Sequence, residues 1–318
     1  MHGVLDEHPV DFLSNSLVIA MSGVVLTPRQ PNSIGSVLLP LLLISALSTA
    51  IVFQSGIVRL NGGADLPPPQ TISVAPGSFV YRQPGEFYRA GYAVDGPKAE
   101  YVMTAPVTIM KYQVSTQDYD ACVADGACPA RESVTPSRSD MPATGVSHDD
   151  ATVYARWFSE KSGGVWRLPS DAELAFTAGT KFPDDALGID PDNPNPALRW
   201  LADYEREAAR KRSRQPEPLP YGSFGESEHG LADFGGNVWE WTTTCNRRVD
   251  LVKQGQQVTT EACGVYIAAG KHRSPLSSFI RDPKSGGCSV GVPPDHVGFR
   301  LVEDRRWYAP LLFSIGAL

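Results

Sequence analysis

Three features of this chain converge on an α+β domain. Ser115, Ser147 and Ser170 each stand three residues before an acid (Asp118, Asp150, Glu173), the pattern that caps a helix start. Short β-branched and aromatic runs bounded by Gly, Pro and Ser read as strands. The 29 Gly and 27 Pro favour a loop-rich globular protein over a helical bundle. The expected architecture is a few helices packed around irregular, twisted sheet.

In chain order, residues 1–33 read as a short tail. Residues 34–58 carry no charge until Arg59, and that length can cross a hydrocarbon core as a helix. Pro40 is tolerable there. The alternative is a cleavable signal peptide with its apolar centre at Val37–Ile44 and Ser48-Thr49-Ala50 as the cleavage site. Both readings export the remainder of the chain, and an uncleaved single-pass anchor is the reading adopted. Residues 59–70 form a linker stiffened by Pro67-Pro68-Pro69. The folded domain is expected over 71–304. It opens with two short strands around Ala75-Pro76-Gly77.

Helices are then expected from Ser115 to about Val123, from Ser147 to about Ser162 and from Ser170 to about Ala178. A fourth starts at Asn195-Pro196, where proline suits the first position. Pro216, Pro218 and Pro220 forbid regular structure before Gly222. Short strands and long loops follow Trp241, and 298–302 reads as a closing strand. The apolar tail 305–318 ends in twelve residues, Trp307–Leu318, too few to span a membrane. It either folds back on the domain or docks on a partner or lipid surface.

Five cysteines suit an exported protein: Cys122 with Cys128 and Cys245 with Cys263 are the expected disulfides, and Cys288 is left over. A net charge of −7 argues against a general nucleic-acid binder. The one basic run, Arg206 to Arg214, reads as a solvated helix face.

Several boxes then fall in a recognisable order: Val74-Ala75-Pro76-Gly77-Ser78-Phe79, Pro106-Val107-Thr108, Val146-Ser147-His148-Asp149-Asp150-Ala151, Arg167-Leu168-Pro169-Ser170-Asp171-Ala172-Glu173, Gly236-Asn237-Val238-Trp239-Glu240-Trp241 and Gly298-Phe299-Arg300-Leu301. In this the chain resembles the formylglycine-generating enzyme, or sulfatase-modifying factor, family. Within it the chain looks most like accessory proteins of nitrite reductases in denitrifying bacteria. The resemblance implies a C-type-lectin-like fold with little regular structure.

It also implies where chemistry would sit. The family's oxidases hold copper(I) on two cysteines before the Gly-Phe-Arg box, since the soft ion wants thiolates. The matching window here, His272 to Phe279, holds no cysteine. His272 and Ser277 fall about where the thiols would be, and Cys288 lies later in the chain, so copper is not expected. Calcium carries over better: Asp233, Gly236, Val238 and Glu240 are the implied oxygen ligands. The competing reading has Asn237 and Glu240 satisfying backbone groups around two buried tryptophans. His148, His229, His272 and His296 are dispersed and read as surface or loop residues, so iron is not expected. Asp149-Asp150 reads as helix capping and Asp184-Asp185 as exposed loop.

The resulting expectation is a non-catalytic factor in the bacterial inner membrane, its main domain in the periplasm. It would serve maturation or assembly of a redox or membrane enzyme, its protein partner. A divergent metal-dependent oxidase and a lectin-like ligand-binding module are the alternatives.

Overall fold

The computed structural model describes residues 40, 42–48, 66–89, 91–186, 201, 204, 205, 217–251, 257–284 and 295–316. The chain forms two compact units, Met1–Val52 and Phe53–Leu318. In the first, residues 42–48 are helical. Among the described residues no helix is long and apolar enough to cross a membrane. The rest of the expected span 34–58 lies outside the described residues. So do Cys288 and nearly all of the helix expected after Asn195.

The second unit is a mixed α and β fold built on two main sheets. The four-stranded sheet has the order β1 (Thr71–Val74), β6 (Val107–Met110), β12 (Val302–Glu303), β7 (Trp166–Arg167). The larger one runs β10 (Arg273–Ser277), β9 (Gln257–Ala269), β8 (Trp239–Leu251), β3 (Glu86–Arg89), β4 (Tyr92–Val94), with β11 (Val297–Gly298) parallel to β8. A separate two-stranded sheet pairs β2 (Gly77–Arg82) with β5 (Lys98–Met103). The turn at Ala75-Pro76 is where expected, but β1 and β2 leave it for different sheets rather than closing a hairpin.

All three serine caps form. Ser115 accepts from the Asp118 amide and opens α1 (Thr116–Ala124). Ser147 and Ser170 make full capping boxes with Asp150 and Glu173, opening α2 (His148–Ser162) and α3 (Asp171–Ala178). The apolar face of α2, Ala151, Tyr154, Ala155 and Phe158, packs into the main core with Tyr119, Phe299 and Leu301. A second cluster joins β1 and β6 to Leu174 and Phe176 of α3.

Two expectations need correction. The region after Trp241 is not short strands: β8 and β9 are each 13 residues long and pair antiparallel. The turn-forming polar residues between them suggested loops, but cross-strand pairing and a disulfide sustain the ladder past the core. The closing strand splits into β11 and β12. Between them the chain hands its carbonyls inward, Phe299 to the Val114 amide and Leu301 to the Met110 amide. The tail folds back as α4 (Ala309–Ser314), with Ala309 and Phe313 buried.

Candidate functional site: the Gly-Asn-Val-Trp-Glu-Trp box and its surroundings

The box begins in a strained turn. Asp233 adopts φ 60°, a left-handed conformation uncommon for a residue with a Cβ. Its two carboxylate oxygens accept from the Gly222 amide at 2.7 Å and the Phe224 amide at 2.8 Å. The turn at 222–225 is thereby tied to the box. Asn237 closes the other side, donating to the Leu219 carbonyl and accepting from the Leu219 amide. Gly236 is required by contact: a methyl there would overlap the Phe224 ring.

Trp241 is fully buried, and its indole donates to the Val146 carbonyl at 3.1 Å. Between the two tryptophans, Glu240 points into the core. Its oxygens accept from Arg300 Nε at 2.5 Å, Arg300 Nη2 at 2.7 Å and Gln113 Nε2 at 2.7 Å. Both side chains of this ion pair are 0 % exposed. The remaining guanidinium hydrogens go to the carbonyls of Met110, Lys111 and Ala232. Arg300 thus bolts the box to the end of β6.

This arrangement tests the expected calcium ligands. Calcium needs several oxygens free to converge on one point. The Asp233 oxygens are taken by two N–H groups, and the Glu240 oxygens by a guanidinium and an amide. A cation already neutralises Glu240. The side-chain oxygens of Asp233 and Glu240 therefore do not fit a calcium cage. Of the competing expectation, Asn237 does satisfy backbone groups, those of Leu219, whereas Glu240 meets the side chains of Arg300 and Gln113 instead.

The window after β9 has its own anchor. Arg273 is buried and pairs with Asp171 at 3.0 Å and Asp185 at 2.6 Å, while donating to the Arg82 carbonyl. Burial pushes the Asp171 carboxyl up to about 6, against the pull of Arg273. Asp184 pairs with Arg82 and Lys98, and the hydrogen bond from Arg82 lowers it to about 2. Asp184-Asp185 thus lies in a loop with Asp184 exposed, as expected, and both acids are ion-paired there. His272 packs edge-on to Trp239 with centroids 4.0 Å apart, just before β10. Ser277 ends β10, opposite Val265. Five positions along extended chain put them roughly 16 Å apart, too far to hold one ion together.

His148 corrects another expectation. It is buried rather than superficial, stacked on Tyr266 at 3.7 Å and edge-on to Trp241 at 5.7 Å. Neither ring nitrogen has a hydrogen-bond partner, the Asp149 carboxylate standing off at 3.7 Å. Burial lowers its pKa, with Asp149 opposing. Among the described residues the one grouping of ligand side chains is Cys245, Glu261 and Cys263, and there both sulfurs belong to a disulfide. The Cys122–Cys128 disulfide is also formed.

The profile of the Sulfatase-modifying factor enzyme 1-like domain matches residues 60–305, well over half of the chain. The chain belongs to this sulfatase-modifying factor family. Among curated members it is similar to the formylglycine-generating enzyme of Mycobacterium tuberculosis, 28 % identical over 55 % of this chain and 61 % of that protein. It is similar also to that of Streptomyces coelicolor, 33 % identical over 35 % and 34 %. A third relative is the inactive Cα-formylglycine-generating enzyme 2 of Bos taurus, 25 % identical over 52 % and 50 %. The chain thus spans from about a third to three fifths of these relatives' lengths. Among solved structures it is similar to PvdO from Pseudomonas aeruginosa, with TM-score 0.49 and 21 % identity over 78 % of this chain and 100 % of that one. CarF is similar too, with TM-score 0.39 and 20 % identity over 75 % and 99 %.

Against this sulfatase-modifying factor background, two features of the site escaped sequence reasoning. One is the Glu240–Arg300 pair. Each charge sits inside an apolar run, Val238-Trp239-Glu240-Trp241 and Val297-Gly298-Phe299-Arg300-Leu301-Val302. A lone charge in such a run signals burial, and two such charges of opposite sign signal each other. The other is the Arg273–Asp171–Asp185 cluster, for which sequence spacing holds no signal.

Proposed function

We propose that this chain is a membrane-tethered accessory factor of the sulfatase-modifying factor family that has given up copper-thiolate oxidation. Its lectin-like domain would lie in the periplasm, held by residues 34–58, and would assist maturation or assembly of a redox or membrane enzyme. One observation carries this reading. Where the resemblance puts two thiols, the chain runs His272 to Phe279 without cysteine, and Arg273 at its start is committed to a buried ion cluster. Four of the remaining cysteines are in disulfides and so supply no thiolate. A soft monovalent copper ion has no thiolate pair to bind there.

The test uses the full chain purified in detergent. Metal content by mass spectrometry should show no stoichiometric copper or iron. A cysteine-containing peptide incubated with it in air should keep its thiol. Affinity purification from the native membrane should retain a protein partner. Stoichiometric copper or iron together with peptide oxidation, both lost in Cys288→Ala or His272→Ala, would overturn the reading in favour of a divergent oxidase.

A further inference from the structure

The β2–β5 sheet leaves an edge open. Gln83 donates its amide to the Pro97 carbonyl, on the β5 side. Main-chain groups alternate sides along an antiparallel strand. Gly77, Phe79 and Tyr81 therefore face β5, and Ser78, Val80 and Arg82 face away. The Arg82 carbonyl confirms the alternation, since it accepts from Arg273 on the far side. Among the described residues, no group pairs with the outward amides and carbonyls of Ser78 and Val80. Exposed edges are usually blunted by lysine, proline or a bulge. Here the middle of the edge is serine and a 64 % exposed valine.

A groove of about 710 Å³ runs along this edge. Every residue of β2 lines it, whereas β5 contributes only Lys98, so the groove follows the uncovered side of the strand. Its far wall is aromatic: Phe176 stands 5.2 Å from Phe79, and Phe182 5.9 Å from Tyr81, centroid to centroid. The two ends differ in their exposed charge. At the Arg82 end three cations, Arg82, Lys98 and Arg273, meet three carboxylates, Asp184, Asp171 and Asp185, and Lys98 is the most exposed of the cations. At the Gly77 end, exposed Glu228 is bonded to the amide and hydroxyl of Thr180, neither of which neutralises it.

We propose that the edge of β2 is a docking site for an extended segment of a partner protein, added as a third, antiparallel strand. Hydrogen bonds to Ser78 and Val80 would align it, as in other cases of strand addition. Its alternate side chains would be aromatic or branched apolar, set against Phe79, Phe176 and Phe182. Antiparallel addition puts its amino end at the exposed Lys98, where an acidic residue fits, and its carboxyl end at Glu228, where a basic one fits. This gives the accessory reading a partner chemistry and rests on it only in supposing a protein partner. Absence of probe binding would leave the missing-thiol reading intact, and detection of oxidase activity would leave the groove intact.

The experiment is fluorescence anisotropy on the full chain in detergent. The probe is a labelled eight-residue peptide with phenylalanine at alternate positions, aspartate near its amino end and lysine near its carboxyl end. Saturable binding is expected. Val80→Pro, which removes an edge donor without touching the β5 ladder, should weaken it at least about tenfold, on the scale of lost backbone hydrogen bonds. N-methylating the probe amides that face β2 should do the same, and methylating those that face away should not. The N-methylated probes decide the matter even if Val80→Pro folds poorly. Absence of binding would overturn the proposal. Binding indifferent to both changes would overturn it in favour of a plain apolar sink. A dimer by sedimentation that Val80→Pro dissociates would overturn it in favour of a second copy.

Discussion

Glu240 and Arg300 show how single residues set the limits of this domain. A buried ion pair adds little net stability over an apolar pair, yet removing one partner strands the other charge in the core. Glu240→Ala should therefore destabilise by about 3–5 kcal/mol, as measured by urea unfolding. Because protein donors already occupy the Asp233 and Glu240 oxygens, chelation with EGTA should leave the thermal midpoint unchanged. A calcium-dependent rise in that midpoint would show the oxygens to be available after all. His148 acts differently. Its folded pKa lies below the unfolded value near 6.5, so the neutral form is the one favoured by folding. Its contribution is present above that value and lost as pH falls through the folded pKa. In His148→Phe the stability slope between about pH 6.5 and 5 should flatten, read from unfolding curves at stepped pH.

Helix starts are the most self-contained part of the structure. Ser147 caps α2 through the Asp150 amide, and Asp150 returns the bond to the Ser147 amide while holding Arg281 at 2.6 and 2.9 Å. One acid thus serves a cap and pins the loop after β10. Ser147→Ala should cost about 1 kcal/mol, typical for a lost N-cap. Asp150→Ala should cost more, since it strips the cap and releases Arg281. Comparing the two by chemical denaturation separates the local term from the tertiary one. The β8–β9 hairpin depends on a different device. Its register shifts on both sides of Cys245, and the Cys245–Cys263 disulfide crosses at that irregularity. The covalent bond holds the strands together where the ladder is broken.

Across the whole domain, carboxylates paired with arginine set the response to acid. Arg82 holds Asp184 down to about 2, and the Arg131 hydrogen bond lowers Asp120. Glu173 is raised by burial but brought below its ordinary value by Arg167. For such groups the stability is present above the unfolded pKa, near 4, and lost as pH falls through the folded values. Asp171 runs the other way: raised to about 6, its contribution is present at low pH and lost as pH rises through that value. The depressed carboxylates outnumber it, so the thermal midpoint should drop as pH falls from about 4 to 2. Arg82→Gln should shrink that drop, because Asp184 would then titrate nearer its ordinary value. Circular dichroism melts at stepped pH check both outcomes.

Helix starts, the β1 turn, both disulfides and the family boxes could be read directly from the residues, because caps, turns and short-range cysteine pairs are local chemistry. Asp233 and Glu240 were placed in the right box, but their partners were not legible. Gly222, Phe224 and Arg300 reach them only through the folded chain, and whether a carboxylate meets a metal or a guanidinium is decided by what lies across the core. The length of β8 and β9, the burial of His148, the Arg273 cluster and the open edge of β2 belong to the same class. Each depends on contacts between residues far apart in sequence, where periodicity and spacing carry no information. The sequence by itself determined the family and the absence of thiols at His272 to Phe279. Only the tertiary structure decided that Glu240 meets Arg300 and Gln113 and that Asp233 ties down the turn at 222–225, because those partners are distant in sequence.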